Sequence, residues 1–274
     1  MRIYLMLLTA VLAVSSAAIF AFLASVPGVV AAFWRIAISL PILLAIYHPK
    51  TLRVGKLPVL AGLALALHFS FWIESLFHAS IAVSTTIVCT HSLFSGFFAA
   101  LWGERPRVNQ IAGVLLAMMG VYLLSGADPR ADIYGILLAL AGAIAGGYYF
   151  ASGRFARDVD FPSYIITTYA SAAFFALLAC LITGEKLVGY PATSWIFLGL
   201  MALIPMLVGH TLINYVLRHM EVLPVTASVL GEAVGASLLA AVILGQSLTM
   251  QAYAYMALVL SGILITFLRF DRAE

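Results

Sequence analysis

Glu232 carries the most pointed chemistry in this chain: a carboxylate about midway along the apolar run 223–244. An ionisable group inside such a run is costly and usually faces a cavity or a partner, so each one is a functional hypothesis. Two roles are open to Glu232, binding an ammonium group or carrying a proton. The plainer alternative is a protonated side chain hydrogen-bonded to the next helix. Sliding the chain against itself by 142 positions gives Glu232 a mate in Thr90, next to His91, and pairs His68 with His210 and Trp72 with Asn214. His68 and Trp72, like His210 and Asn214, are four residues apart and so share one helix face. Two equivalent polar faces suggest two walls of one pocket. Each histidine could donate to a carboxylate or present a bare acceptor, depending on its tautomer, or simply bond a backbone carbonyl.

Tyr148 and Tyr149 follow the Gly146–Gly147 pair and could stack on an aromatic or cationic substrate; interfacial anchoring is the plainer role. Gly142, Gly146 and Gly235 suit close helix packing. Arg35 is the one basic residue clearly inside an apolar run, and is expected to be structural, snorkelling or tying a carbonyl. Glu74 and His78 are expected at a solvated rim, and Glu104 with Arg105 and Arg107 in a surface loop. Cys89 and Cys180 lie far apart in separate runs, which points to packing rather than a disulfide or metal pair, and no cofactor is expected.

The elements that must position these residues are set by composition. With 64% hydrophobic residues, 9% charged and a mean hydropathy of +1.10, the chain cannot build the surface of a soluble globule. Ten apolar segments of near-spanning length occur at 3–23, 29–47, 57–77, 81–101, 108–125, 132–151, 163–182, 193–217, 223–244 and 249–268. They lack the alternation of a membrane barrel strand, so an all-α polytopic membrane protein is expected. A cleaved signal peptide at the start would leave nine spans and spoil the charge pattern.

That pattern fixes an expected orientation. Arg2, Lys50, Arg53, Lys56, Arg105, Arg107, Arg154, Arg157, Arg218, Arg269 and Arg272 fall on one set of connections, and only Arg130 and Lys186 on the other. Basic connections stay cytoplasmic, so both termini are placed inside. The net charge of +3 reflects this asymmetry rather than a nucleic-acid-binding stripe.

Residues 57–125 and 199–267 align without a gap with nine identities, among them His68, Gly103 and Gly120. Matching span boundaries carry the repeat further than the identities do. Five spans is an odd number, so the second unit must cross in the opposite sense: two inverted five-helix repeats, 1–127 and 128–274. Such repeats place substrate near the midplane and exchange conformations to give alternating access.

The stretch from Ser92 to Leu124, with its L-W-G-E-R turn, and the G-E-A-V-G-A-S-L-L-A-A-V-I-L-G-Q stretch from Gly231 to Gln246 resemble the paired E-P-V-x-A and L-G-E-R signatures of the drug/metabolite transporter superfamily, EamA-like branch. Phe33–Arg35 adds to the resemblance, which covers essentially the whole chain. Two departures are Ala233 for the usual proline and Gln246 for the second signature glutamate. The resemblance implies a ten-helix transporter of the bacterial inner membrane, in appearance most like amino-acid exporters. Its expected partners are a small-molecule substrate and the lipid bilayer, with the chain acting as a monomer. A phosphate dianion would need several buried Lys or Arg, so Arg35 alone argues against organic phosphates. Glu, His, Asn, Thr and aromatic side chains suit an amino acid, or a lipophilic cation as in multidrug efflux. An intramembrane enzyme is the remaining rival, but neither H-E-x-x-H nor G-x-S-x-G occurs.

Overall fold

Helices account for all the regular structure among the described residues of the computed structural model, which are 1–49, 51–79, 81–125, 132–244 and 248–268. Lys50, Arg130, Gln246, Arg269 and Arg272 lie outside them. Among the described residues nine spans are long and apolar enough to cross a bilayer, and the shorter apolar segment Val108–Leu124 supplies span 5. Bulky side chains such as Leu5, Leu8, Leu12, Phe97, Phe174 and Leu181 are exposed on the outside of the bundle. Contiguous apolar surface of this kind is what lipid, not water, accepts.

Three spans are interrupted near their middles. Span 1 is α1 (Arg2–Val14) and α2 (Ala17–Ala24); span 2 is α3 (Gly28–Tyr47); span 3 is α4 (Lys56–His78); span 4 is α5 (Ile81–Val88) and α6 (His91–Leu101). Spans 5, 6 and 7 are the single helices α7 (Val108–Ser125), α8 (Ile133–Phe155) and α9 (Phe161–Thr183). Span 8 joins α10 (Ala192–Met201), a π-helical stretch (Ala202–His210) and α11 (Thr211–Leu217); span 9 is α12 (Val222–Val229) and α13 (Gly231–Leu244); span 10 is α14 (Met250–Phe267). Beside the breaks at 15–16, 89–90 and 230, local hydroxyls add a donor to backbone carbonyls, two of which also accept a backbone N–H, Val11 O from Ser15 N at 3.1 Å and Ile87 O from Thr90 N at 3.0 Å. Ser15 Oγ donates to Val11 O at 2.8 Å, Thr90 Oγ1 to Ile87 O at 2.7 Å and Ser228 Oγ to Pro224 O at 2.8 Å. In hydrocarbon an unmet carbonyl costs several kcal/mol, so a break needs such groups nearby.

Neither Pro224 nor Pro205 interrupts its span. Pro224 sits in the first turn of α12, where no intrahelical donor is needed, and makes no break. Pro205 lies inside the π-helical stretch, whose wider turn relieves the clash between its ring and the preceding carbonyls. Side chains of neighbouring spans also bond the carbonyls of this stretch: Ser39 Oγ donates to Ala202 O at 2.9 Å and Tyr169 OH to Met206 O at 3.2 Å.

Span pairings repeat about a pseudo-two-fold axis. Span 3 packs on span 6 as span 8 packs on span 1, span 4 on span 6 as span 9 on span 1, and spans 2 with 7, 5 with 10 and 4 with 9 meet their own mates. Gly120 and Gly262, equivalent under the repeat, let spans 5 and 10 approach so closely that a Cβ on Gly120 would lie 2.7 Å from Val259 N. One end of the bundle gathers the basic helix termini. There α6 and α12 cross, with Ser95 Oγ donating to Thr226 Oγ1 at 3.0 Å and Ser92 Oγ 3.1 Å from the same hydroxyl.

Candidate functional site

The half-way breaks and the π-helical turn bring the polar side chains of spans 2, 3, 4, 6, 7, 8 and 9 into one interior cluster. His68, His91, His210 and Trp72 are each buried to within 4–5% of full exclusion. Their rings are linked through two phenylalanines. His68 lies 6.2 Å from Trp72 and 6.4 Å from His91; His91 lies 5.0 Å from Phe150; His210 is stacked at 5.8 Å on Phe150 and edge-on at 4.9 Å to Phe69. The repeat mates His68 and His210 therefore do face a common interior, around Phe69 and Phe150.

Individual roles differ. His68 Nδ1 is 2.8 Å from Gly142 O, and a carbonyl only accepts, so Nδ1 carries a proton and Nε2 is left as the second polar atom. This is the plainer of the two roles open to it. A Cβ on Gly146 would lie 2.6 Å from His68 Nδ1, so that glycine makes room for the imidazole. Gly147 lies against Phe94 and Ser95. The pair serves packing inside a continuous helix. By contrast, His91 Nδ1, His210 Nδ1 and Trp72 Nε1 are buried without a hydrogen-bond partner among the described residues.

Asn214 is fully buried and fully engaged. Its amide donates to Tyr149 OH at 2.6 Å and to His210 O at 2.8 Å, while its oxygen accepts from Tyr164 OH at 3.2 Å. Tyr149 is thus part of an internal network rather than an interfacial anchor. Tyr148 points elsewhere, half-buried between Phe98 at 5.3 Å and Trp102 at 5.4 Å. The adjacent tyrosines therefore do not form one platform.

Glu232 lies in the first turn of α13, at the break in span 9, where the helix N-terminus favours negative charge. Its Oε1 is buried and has no partner among the described residues. The neighbouring-helix hydrogen bond that would make it inert is missing from that oxygen. Thr90, its repeat mate, sits at the break in span 4 with its hydroxyl committed to Ile87 O.

Arg35 corrects the sequence reading most clearly. It neither snorkels nor ties a carbonyl: the residue is fully buried, and Nε, Nη1 and Nη2 all lack a hydrogen-bond partner among the described residues. Its guanidinium carbon lies 3.7 Å from the centroid of Phe69. Phe69, Phe150, Tyr164 and Tyr169 also belong to the cluster and were not singled out in the sequence, where they look like any other apolar or aromatic residue of a span.

The charged groups expected at the surface are partly exposed and also make specific hydrogen bonds. Glu74 caps another span, accepting from Gly28 N at 2.8 Å, with His78 Nε2 3.5 Å away. Gly103 adopts φ +96°, a left-handed turn that side chains resist, and Glu104 follows it into a network joining the two halves. Glu104 accepts from Val222 N at 2.6 Å and from Arg154 Nε at 2.9 Å; Arg107 grips Glu221 through both nitrogens at 2.7 and 3.3 Å. A cavity of about 370 Å³ opens beside it, lined by Tyr4, Arg154, Glu221 and Phe267 among others. No group of three or more His, Cys, Asp or Glu able to hold a metal occurs among the described residues.

Ten apolar spans among the described residues, with unpartnered polar groups buried inside them, make a polytopic membrane protein, and the family its sequence matches is one of transporters, not enzymes. The chain belongs to the EamA-like transporter family of the drug/metabolite transporter superfamily, whose profile matches residues 1–126 and 133–268. It is 27% identical over 165 residues to proteins named "Uncharacterized inner membrane transporter YedA" from Escherichia coli strains K12 and O157:H7, covering 56% of this chain and 54% of theirs. The matched stretch thus spans about half the length of these curated relatives. A crystal structure with 20% identity superposes with a TM-score of 0.83 over 97% of both chains, and shares the fold.

Proposed function

We propose that this transporter exports small amphipathic metabolites, foremost amino acids with aromatic or other hydrophobic side chains, by alternating access at the midplane cluster. Two observations support the reading: Glu232 Oε1 is buried without a partner among the described residues at a helix break, and the bundle holds a ring-lined interior around Phe69 and Phe150. A carboxylate suits the ammonium group, and apolar rings suit the side chain. His68, Trp72, Thr90, His91, Tyr149, His210 and Asn214 would line or brace that pocket. Tyr148 would act only at its basic-end approach. The basic end is taken as cytoplasmic, with both termini there, and the halves 1–127 and 128–274 would rock about the pocket as a monomer.

Glu232 and the rings would also serve a lipophilic cation, which is the second reading. Counterflow in proteoliposomes tests both, with aromatic, aliphatic and charged amino acids and a cationic dye competing for uptake. Competition by aromatic amino acids is expected. Competition by the dye alone would put multidrug efflux first. Coupling is tested in the same vesicles with a pH gradient: a gradient that drives wild type and Glu232→Gln equally would remove Glu232 as proton carrier.

A further inference from the structure

Arg35 is an expensive residue to leave as it is found. Its guanidinium has five N–H donors in a rigid fork, sits in span 2 within the bundle, is excluded from solvent and has no acceptor among the described residues. Phe69 alone is seen compensating it, and a ring face supplies attraction without taking a single hydrogen bond. Phe69 also touches His210 and His68, so the guanidinium adjoins the ring-lined interior. Glu232, which would neutralise it in a buried ion pair, forms no salt bridge with it among the described residues. A basic and an acidic side chain are thus both held within the spans, each with unmet hydrogen-bonding capacity among the described residues.

We infer that Arg35 binds the carboxylate of the substrate and that the transported species is a zwitterion, its ammonium end directed to Glu232. The inference rests on the export reading above and narrows it. A guanidinium matches a carboxylate bidentately, and engagement trades the Phe69 ring face for charge-assisted hydrogen bonds. A lipophilic cation would gain Glu232 but be repelled by Arg35, whereas an amino acid satisfies both. One buried cation is also the right number for a carboxylate and too few for a phosphate dianion.

The test uses the purified full chain in detergent, titrated with phenylalanine, phenylalaninamide and phenethylamine, with the shift in thermal unfolding giving an apparent affinity for each. Wild type is expected to prefer the free acid by roughly 10- to 100-fold, the span of one or two charge-assisted hydrogen bonds. Arg35→Gln should lose that preference while keeping its response to the amine. Arg35→Lys, which keeps the charge but not the fork, should retain a weakened preference and serves if the glutamine variant fails to fold. Equal affinity of wild type for acid and amide, or an unchanged preference in Arg35→Gln or Arg35→Lys, overturns the inference and leaves the export reading standing. Failure of wild type to respond to any of the three, in titration and in counterflow, defeats the export reading itself.

Discussion

Single side chains at the pocket are held by neighbours that leave little slack, so small changes should have large effects. Asn214→Leu would strand the hydroxyls of Tyr149 and Tyr164, each buried and paired to it. An orphaned buried polar group costs about 1–3 kcal/mol, so the variant should unfold at a lower temperature in detergent even without substrate. Gly146→Ala places a methyl 2.6 Å from His68 Nδ1 and should push the imidazole off Gly142 O. Transport should fall while the unfolding temperature changes less, and intact counterflow would show that His68 need not sit there. His68, His210 and Asn214 could be picked out in the sequence because a polar group in an apolar run stands out. Arg35 stood out equally and was misjudged. Sequence shows that a charge is costly at that depth, but whether anything partners it depends on which helices arrive around it.

At the level of helices, termini and breaks are decided by local hydrogen bonding. Asp160 caps α9, accepting from Ser163 N at 3.0 Å, and this backbone bond holds its carboxyl below the usual aspartate range. A depressed pKa in the folded state means the cap contributes fully above the unfolded value and is lost as pH falls through the folded one. Thermal scans of Asp160→Ala should show a loss of about 1 kcal/mol at neutral pH that disappears in acid, below about pH 4. Asp160→Asn keeps an acceptor that does not titrate, so it should stay near wild type at neutral pH and exceed it in acid. The ten spans were legible from hydropathy because the bilayer demands long apolar runs. Their interruptions were not. Ser15, Thr90 and Ser228 bond carbonyls three or four residues back, which such side chains also do in unbroken membrane helices, as Ser39 does with Arg35 O at 2.7 Å. The residue type therefore does not reveal a break.

Across the whole molecule, α6 and α12 cross at the basic end, and the ion pairs of Glu104 with Arg154 and Glu221 with Arg107 tie the first repeat to the second there. Glu104→Gln combined with Glu221→Gln should loosen that crossing. The readout is alkylation of Thr226→Cys in a background with Cys89 and Cys180 replaced by serine, expected to rise several-fold from the basic side. High salt should produce a smaller rise, because partly exposed pairs are screened. Unchanged alkylation in both conditions would mean the crossing holds by packing alone. The repeat itself was legible from span boundaries and a handful of identities, since both copies answer to the same bilayer. The ties between repeats were less so: Glu104 belongs to a turn whose spacing gives no hint that it reaches Val222 and Arg154.

Pro205 has Leu63 as its repeat counterpart, in an unbroken α-helix, so one wall of the pocket is built on a wide proline turn and the other on a regular one. Lacking an amide hydrogen, the proline prevents span 8 from ever becoming a copy of span 3. If the carrier alternates as proposed, its two open shapes would not be mirror images, and substrate affinity need not match from the two faces. Thermodynamic closure then sets any difference in affinity equal to the factor by which loading shifts the balance between those shapes.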